Sequence, residues 1–94
     1  MRNQYRRYPP KPEPVVVMPK FYHYRNRQES DKDWIMKRMA VIPTEKQAEV
    51  AEEYDRRYMI GKQSQNGRKA ANSYLQAVAA EYREILRQRQ QDAA

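Results

Sequence analysis

The residues of this chain best suited to chemistry are arginines and tyrosines interleaved near its N-terminus. Tyr5, Tyr8, Tyr22 and Tyr24 alternate with Arg2, Arg6, Arg7 and Arg25. Guanidinium groups pair with phosphates and aromatic faces stack on bases, so this mixture matches a segment that holds RNA or a single strand. A solubilising arm or a protein-docking peptide draws on the same residue types. Charge narrows the choice of partner. Up to Gln28 there are seven basic residues, Arg2, Arg6, Arg7, Lys11, Lys20, Arg25 and Arg27, against one acid, Glu13. The remaining 66 residues carry 12 basic and 11 acidic groups, so nearly all of the chain's +7 resides in this stretch. Clustered positive charge attracts a polyanion or an acidic partner.

No constellation for catalysis accompanies it. His23, the one histidine, lies in Phe21-Tyr22-His23-Tyr24-Arg25 with no orienting carboxylate and no neighbours at metal-ligand spacing. Glu49, Glu52 and Glu53 fall in the early turns of a predicted helix. The helix dipole and i,i+4 pairing, as of Glu53 with Arg57, explain them better than a carboxylate pair does. Gly61 and Gly67 are the only glycines, too few for a phosphate-cradling loop, and without cysteine there is no thiolate metal site. No catalytic, metal or cofactor residue is assigned, and the chain reads as non-enzymatic.

The elements that would position the basic residues begin with an arm. Residues 1–28 hold five of the six prolines. Pro9 to Pro14 favour polyproline II, and Pro14 and Pro19 bracket Val15-Val16-Val17-Met18 as an edge or extended segment. The expectation is a flexible basic arm over 1–28. Within it Val15, Val17 and Phe21 are the residues expected to reach the body and cover apolar surface.

Three helices should follow, over about 31–40, 45–60 and 68–90, with a frayed tail at 91–94. Ser30 is the expected cap of the first, and Ile35, Met36, Met39 and Ala40 recur at helical spacing. Thr44-Glu45-Lys46-Gln47 matches a capping box for the second. Its apolar face would be Ala48, Ala51, Tyr54 and Tyr58, and Gly61 would end it in the left-handed region. In the third, Ala71, Leu75, Val78, Tyr82 and Ile85 alternate steps of four and three as a heptad seam.

Two arrangements of the second and third helices compete. Arg68 and Lys69, beside Gln63 to Asn66, resemble the start of a recognition helix and are a second candidate for phosphate contact. Seven residues from Gly61 to Gly67 exceed the tight turn of that motif, however, and Tyr54 and Tyr58 facing the Ala71-to-Ile85 seam suit an antiparallel hairpin. The predicted fold is all-α: a helical hairpin with a short first helix across it.

Its core is thin. Leu, Ile, Val and Phe number only 13, low for a filled globule. Two hairpins pairing across their seams would bury more apolar surface, so a homodimer is expected.

The stretch EKQAEVAEEYDRRY, then a polar loop, then GRKAANSYLQAVA resembles small accessory proteins encoded by tailed phages and prophages of enteric bacteria. The resemblance covers the second and third helices. It implies a cytoplasmic setting and DNA metabolism as context, and it supplies no functional residues.

The basic N-terminus runs into prolines rather than an apolar stretch, and no segment approaches bilayer length, so a cytoplasmic protein without membrane contact is expected. The function expected is a non-enzymatic module docking on nucleic acid, or on a complex that processes it, through the arm. The alternative is an adaptor or structural oligomer that binds protein through the seam and the Pro-rich arm.

Overall fold

The fold follows from where two glycines let a helix turn back on itself. The computed structural model describes residues 15–93, so Arg2, Arg6, Arg7, Lys11, Tyr5, Tyr8 and the Pro9–Pro14 run lie outside the described residues. The protein is all-α, with α1 over Lys32–Met39, α2 over Thr44–Lys62 and α3 over Gly67–Ala93. Among the described residues the only β pairing is an isolated bridge between Tyr24 and Ser30.

α2 and α3 are antiparallel neighbours. Gly61 meets Gly67 at the turn, Tyr54 donates its hydroxyl hydrogen bond to Asn72, and the Arg57 guanidinium lies 4.4 Å from the Tyr74 ring centre. The turn is four residues long, Gln63 to Asn66, not seven, because both flanking glycines are helical. Gly61 does not end α2 in the left-handed region. That conformation falls to Gln65, at φ 57°. The glycines are needed for close approach instead. A Cβ on Gly61 would sit 2.8 Å from the Gly67 Cα, and one on Gly67 would run into the Tyr58 carbonyl.

α1 runs alongside α3 in the same direction. Asp31 at its start bonds Arg68 and Asn72, and Arg38 near its end bonds Gln76 over 3.1 Å while stacking on Trp34. Ile35, Met39, Ile42, Val50, Ala51, Tyr54, Ala71 and Leu75 form the core between the three helices.

Both expected helix caps are used differently. Ser30 is not the cap of α1. Its hydroxyl accepts from the Lys32 amide (3.1 Å), while Asp31 occupies the cap position and turns its carboxylate to α3. The capping box of α2 does not form. Pro43 stands at the cap, and Gln47 is buried with both ends of its amide spent elsewhere. Its Oε1 accepts from the Val17 amide (3.0 Å), and its Nε2 donates to the carbonyls of Met39 (3.1 Å) and Ile42 (3.0 Å). The physical reason is location. Those carbonyls close α1 inside the fold, where an unpaired acceptor is expensive, whereas the first amides of α2 can turn to water. With Gln47 inward, the buried face of α2 runs through Gln47, Val50, Ala51 and Tyr54, and Ala48 is exposed.

The described half of the expected arm belongs to the body. Residues 15–22 run along α2 in its own direction, from the Gln47 contact to Asp55, whose two carboxylate oxygens accept from the amides of Lys20 (3.0 Å) and Phe21 (2.8 Å). The boundary between arm and body therefore falls before Val15 rather than at Gln28. The side chains alternate in the opposite phase to the one expected. Val16, Met18 and Tyr22 pack on the core, while Val15 (98% exposed), Val17 and Phe21 face outward. Once the Val17 amide is committed to Gln47, its neighbours must carry the inward side chains.

α3 also differs from expectation at its far end. It continues to Ala93 instead of fraying after Gln90, and it outruns α2 by 27 residues to 19. Of the seam, Tyr54, Ala71 and Leu75 are buried, Tyr58, Val78 and Tyr82 half-buried, and Ile85 exposed. No helix among the described residues is long and apolar enough to cross a membrane.

Candidate nucleic-acid interface

At the end of the molecule where α1 begins, residues 23–31 close a tight loop. Asn26 builds it: its Oδ1 accepts from the amides of Gln28 and Glu29, both at 2.9 Å, so the side chain stands in for a turn of backbone. The Arg25 amide donates to the Glu29 carbonyl (2.8 Å), and the Asp31 amide donates to the His23 carbonyl (3.0 Å). This loop holds Tyr24 out into solvent at 61% exposure. Tyr24 then lines a shallow depression with Arg27, Ser30, Lys32 and Asp33. Backbone hydrogen bonds fix its rim, and Arg27 and Lys32 beside the ring are exposed.

A polar network holds the loop against the helices. The Arg68 guanidinium makes a two-pronged bond to Asp31, with Nε to Oδ2 and one terminal nitrogen to Oδ1, each 2.9 Å. Asn72 Nδ2 donates to the same Oδ2 (2.9 Å), and Tyr54 in turn donates to Asn72 Oδ1. Burial pushes the Asp31 carboxyl up, but the hydrogen bonds from Arg68 and Asn72 and the Arg68 charge outweigh it. The group ends below the ordinary carboxylate value. The bond to Asp31 holds Arg68 above the usual arginine range. Burial, with the Asp31 charge adding to it, pushes the Tyr54 phenol well above 10.0.

A second depression, lined by Tyr58, Lys62, Gln65, Gly67 and Arg68, adjoins the first across the Asp31–Arg68 bridge. The fold thus brings Arg25, Arg27, Lys32, Lys62, Arg68 and Lys69 to one end. The acids there are Glu29, Asp31 and Asp33, and two of these are already paired, Glu29 with Arg25 at 3.7 Å and Asp31 with Arg68. What remains is a net positive surface around one exposed aromatic ring. That arrangement can hold an anion by charge and stack a flat ring against Tyr24.

The nine candidate basic residues do not form one surface. Arg25, Arg27, Arg68 and Lys69 share one end of the molecule, but of these only Arg27 lines the first depression and only Arg68 the second, where it is committed to Asp31. Lys20 lies beside Asp55 on the flank of α2 and does not line the depression. Arg2, Arg6, Arg7 and Lys11 lie outside the described residues. The chain enters the described part beside Gln47, about 20 Å along α2 from the glycine turn.

Ser30, Lys32 and Lys62 were missed by sequence reasoning, because each reads as an ordinary helix-end residue. The available signal was Asn26, a turn-former in the middle of a supposedly structureless run. His23 lends only its backbone carbonyl, and among the described residues no group of three or more potential ligands is placed to hold a metal.

Comparison with known proteins gave no match to a family model, a curated protein or a solved structure.

Proposed function

We propose that this chain is a non-enzymatic binding module that docks on nucleic acid, or on a complex that processes it, through its basic end. The observation that carries the reading is Tyr24, exposed and set beside Arg27 and Lys32 in a depression whose backbone is fixed by hydrogen bonds. A base stacked on that ring would bring its phosphates within reach of both cations. Arg2, Arg6, Arg7 and Lys11 add charge for a longer strand to follow. This reading sets the protein in the cytoplasm, in keeping with the resemblance to phage accessory proteins.

Binding of a labelled single-stranded oligonucleotide, followed across salt concentration, tests it. Affinity should fall steeply with salt, since phosphate neutralisation releases counterions. Tyr24→Ala should weaken binding by about 1–3 kcal/mol. The Arg27→Ala/Lys32→Ala pair should flatten the salt slope by about one for each phosphate no longer neutralised. No binding at low salt, or binding unchanged in both variants, would refute the proposal.

A protein-adaptor reading rests on a different observation. Met59 and Ile60 are exposed side by side on the last turns of α2. An oligonucleotide-blind chain whose capture of a protein partner depends on Met59 and Ile60 would favour it.

A further inference from the structure

The far end of α3 has a face with nothing over it. Ala79 is its last fully buried residue and Tyr82 its last half-buried one; from Arg83 to Asp92 every side chain is exposed. The apolar stripe nevertheless continues. Val78, Tyr82 and Ile85 keep the alternation of Ala71 and Leu75, and Ile85 and Leu86 expose 38% and 44% of their surface. A helical end of this length, uncovered, is marginal in water. Hydrophobic residues repeating on such a stripe are what a second helix covers.

The charges around the stripe say which helix. Glu81 and Glu84 precede Ile85-Leu86, while Arg87 and Arg89 follow. In a parallel pair these would meet their own kind. In an antiparallel pair centred on Ile85-Leu86, the acidic side of each helix lies over the basic side of the other. Arg89, one heptad after Tyr82 on the stripe itself, then comes opposite the Glu81 and Tyr82 of the other copy. An arginine over an aromatic ring already occurs twice in this fold, at Trp34 and at Tyr74. Glu84 is paired within its own helix to Arg87 and accepts from Gln88, whereas neither Glu81 nor Arg89 has an ion-pair partner among the described residues. Arg83 lies towards Arg38 of α1, off this face.

We propose that the overhanging end of α3 pairs antiparallel with the same segment of a second copy of this chain. The two-fold axis passes near Ile85 and Leu86. The bodies then project in opposite directions, and each dimer presents two basic ends facing away from each other. The contact is small for a protein interface, so association is weak and follows concentration. This dimer differs from one formed across the whole seam, because Leu75 and Ala71 are used inside the monomer.

The chain has no cysteine, which makes cross-linking direct. Under mild oxidation Leu86→Cys, next to the axis, should give a disulfide-linked dimer. Asp92→Cys should not, because antiparallel pairing separates its two copies by about 20 Å. In sedimentation of the full chain, Glu81→Arg or Arg89→Glu alone should weaken self-association several-fold, since each sets like charges opposite. Mixing the two variants should restore it. Circular dichroism checks that these exposed substitutions leave the helices intact. A monomer at high micromolar concentration would overturn the proposal. So would equal cross-linking of both cysteine variants, which marks a parallel pair, or association indifferent to the charge changes.

Discussion

The two halves of α3 continue one apolar alternation and have opposite fates. From Gly67 to Ala80 the seam is sealed, with Ala71, Leu75 and Ala79 at no exposure; from Glu81 to Asp92 the same alternation leaves Ile85 and Leu86 in solvent. The second half carries six charged residues to the first half's two, yet Tyr82 and Ile85 keep the apolar stripe running through it. The difference lies in the neighbours. α2 begins at Thr44, immediately after Pro43, whose ring bars a helix from continuing back through it. α1 stops at Met39. Cover for α3 therefore runs out where those two helices meet. Periodicity selects the face of a helix; the length of the elements opposite decides whether that face is buried.

Truncation of each half sets the contrast most strongly. Leu75→Ala opens a cavity in a sealed core and should lower stability in chemical or thermal unfolding by about 2–5 kcal/mol. Leu86→Ala, measured at concentrations where the chain is monomeric, should change it by no more than about 0.5 kcal/mol. Comparable losses at both positions would mean the overhang is covered within the monomer and would break the comparison.

The sealed half depends on polar groups as much as on apolar ones, and Gln47 tests this. Gln47→Glu keeps the shape but replaces the amide donor by a carboxylate, so the Ile42 carbonyl loses its partner, the Met39 carbonyl keeps only the Ile42 amide, and both face a negative charge. A loss of roughly 2–4 kcal/mol is expected, from one buried acceptor left unpaired and a carboxylate set against two carbonyls. Gly67→Ala should follow at about 1–3 kcal/mol, because the obstacle is the Tyr58 carbonyl, backbone that cannot swing aside. A stability within error of the parent in either variant would show that the turn end is more plastic than its geometry implies.

Sequence reading recovered three helices, their order and the core face of the first half of α3, because each rests on periodicity or on a breaker residue. It failed where one side chain had two jobs open to it. Thr44 and Gln47 have the spacing of a capping box, but the orphan carbonyls that claim Gln47 belong to another element. Gly61 has the position of a helix stop, but its role is set by a helix that approaches it. The Val15–Phe21 run alternates whichever face is inward, so its phase depends on the acceptors at Gln47 and Asp55 across the fold. The candidate site was half legible. Tyr24, Arg25 and Arg27 were marked by composition, whereas Lys32 and Lys62 join them only through folding.

The network behind that site sets how stability responds to pH. Asp31 has a folded pKa below its ordinary 3.8, so its contribution is complete above that value and is lost as pH falls through the lower folded value. Tyr54 works at the other limit. Its folded pKa lies above 10.0, so its contribution is complete below 10.0 and is lost as pH rises beyond it. Unfolding free energy plotted against pH should therefore decline at both extremes. Asp31→Asn should remove part of the acid limb and Tyr54→Phe part of the alkaline one, each at a cost of about 1–3 kcal/mol at neutral pH from the partners left behind. Limbs that keep their slopes in these variants would assign the titration to other groups.

The smallest expected effect concerns the strand-like segment on α2, which is held differently from either half of α3. Its backbone is tied by Asp55 through two amides on the protein surface, with only Pro19 of its own side chains fully buried. Hydrogen bonds made in reach of water contribute modestly, because water replaces them when they break. Asp55→Ala should therefore leave the global unfolding midpoint nearly in place, with a change of about 1 kcal/mol or less. What should change is local: faster amide hydrogen exchange at Lys20 and Phe21, spreading to Tyr22 and towards Val17, with the amides of α3 unaffected. Asp55→Asn keeps one carbonyl oxygen as acceptor and should fall between the two. If Asp55→Ala left exchange at these amides unchanged, the inward packing of Val16, Met18 and Tyr22 would be what holds the segment. The alternation of its side chains, rather than the carboxylate, would then be the reason residues 15–22 belong to the body.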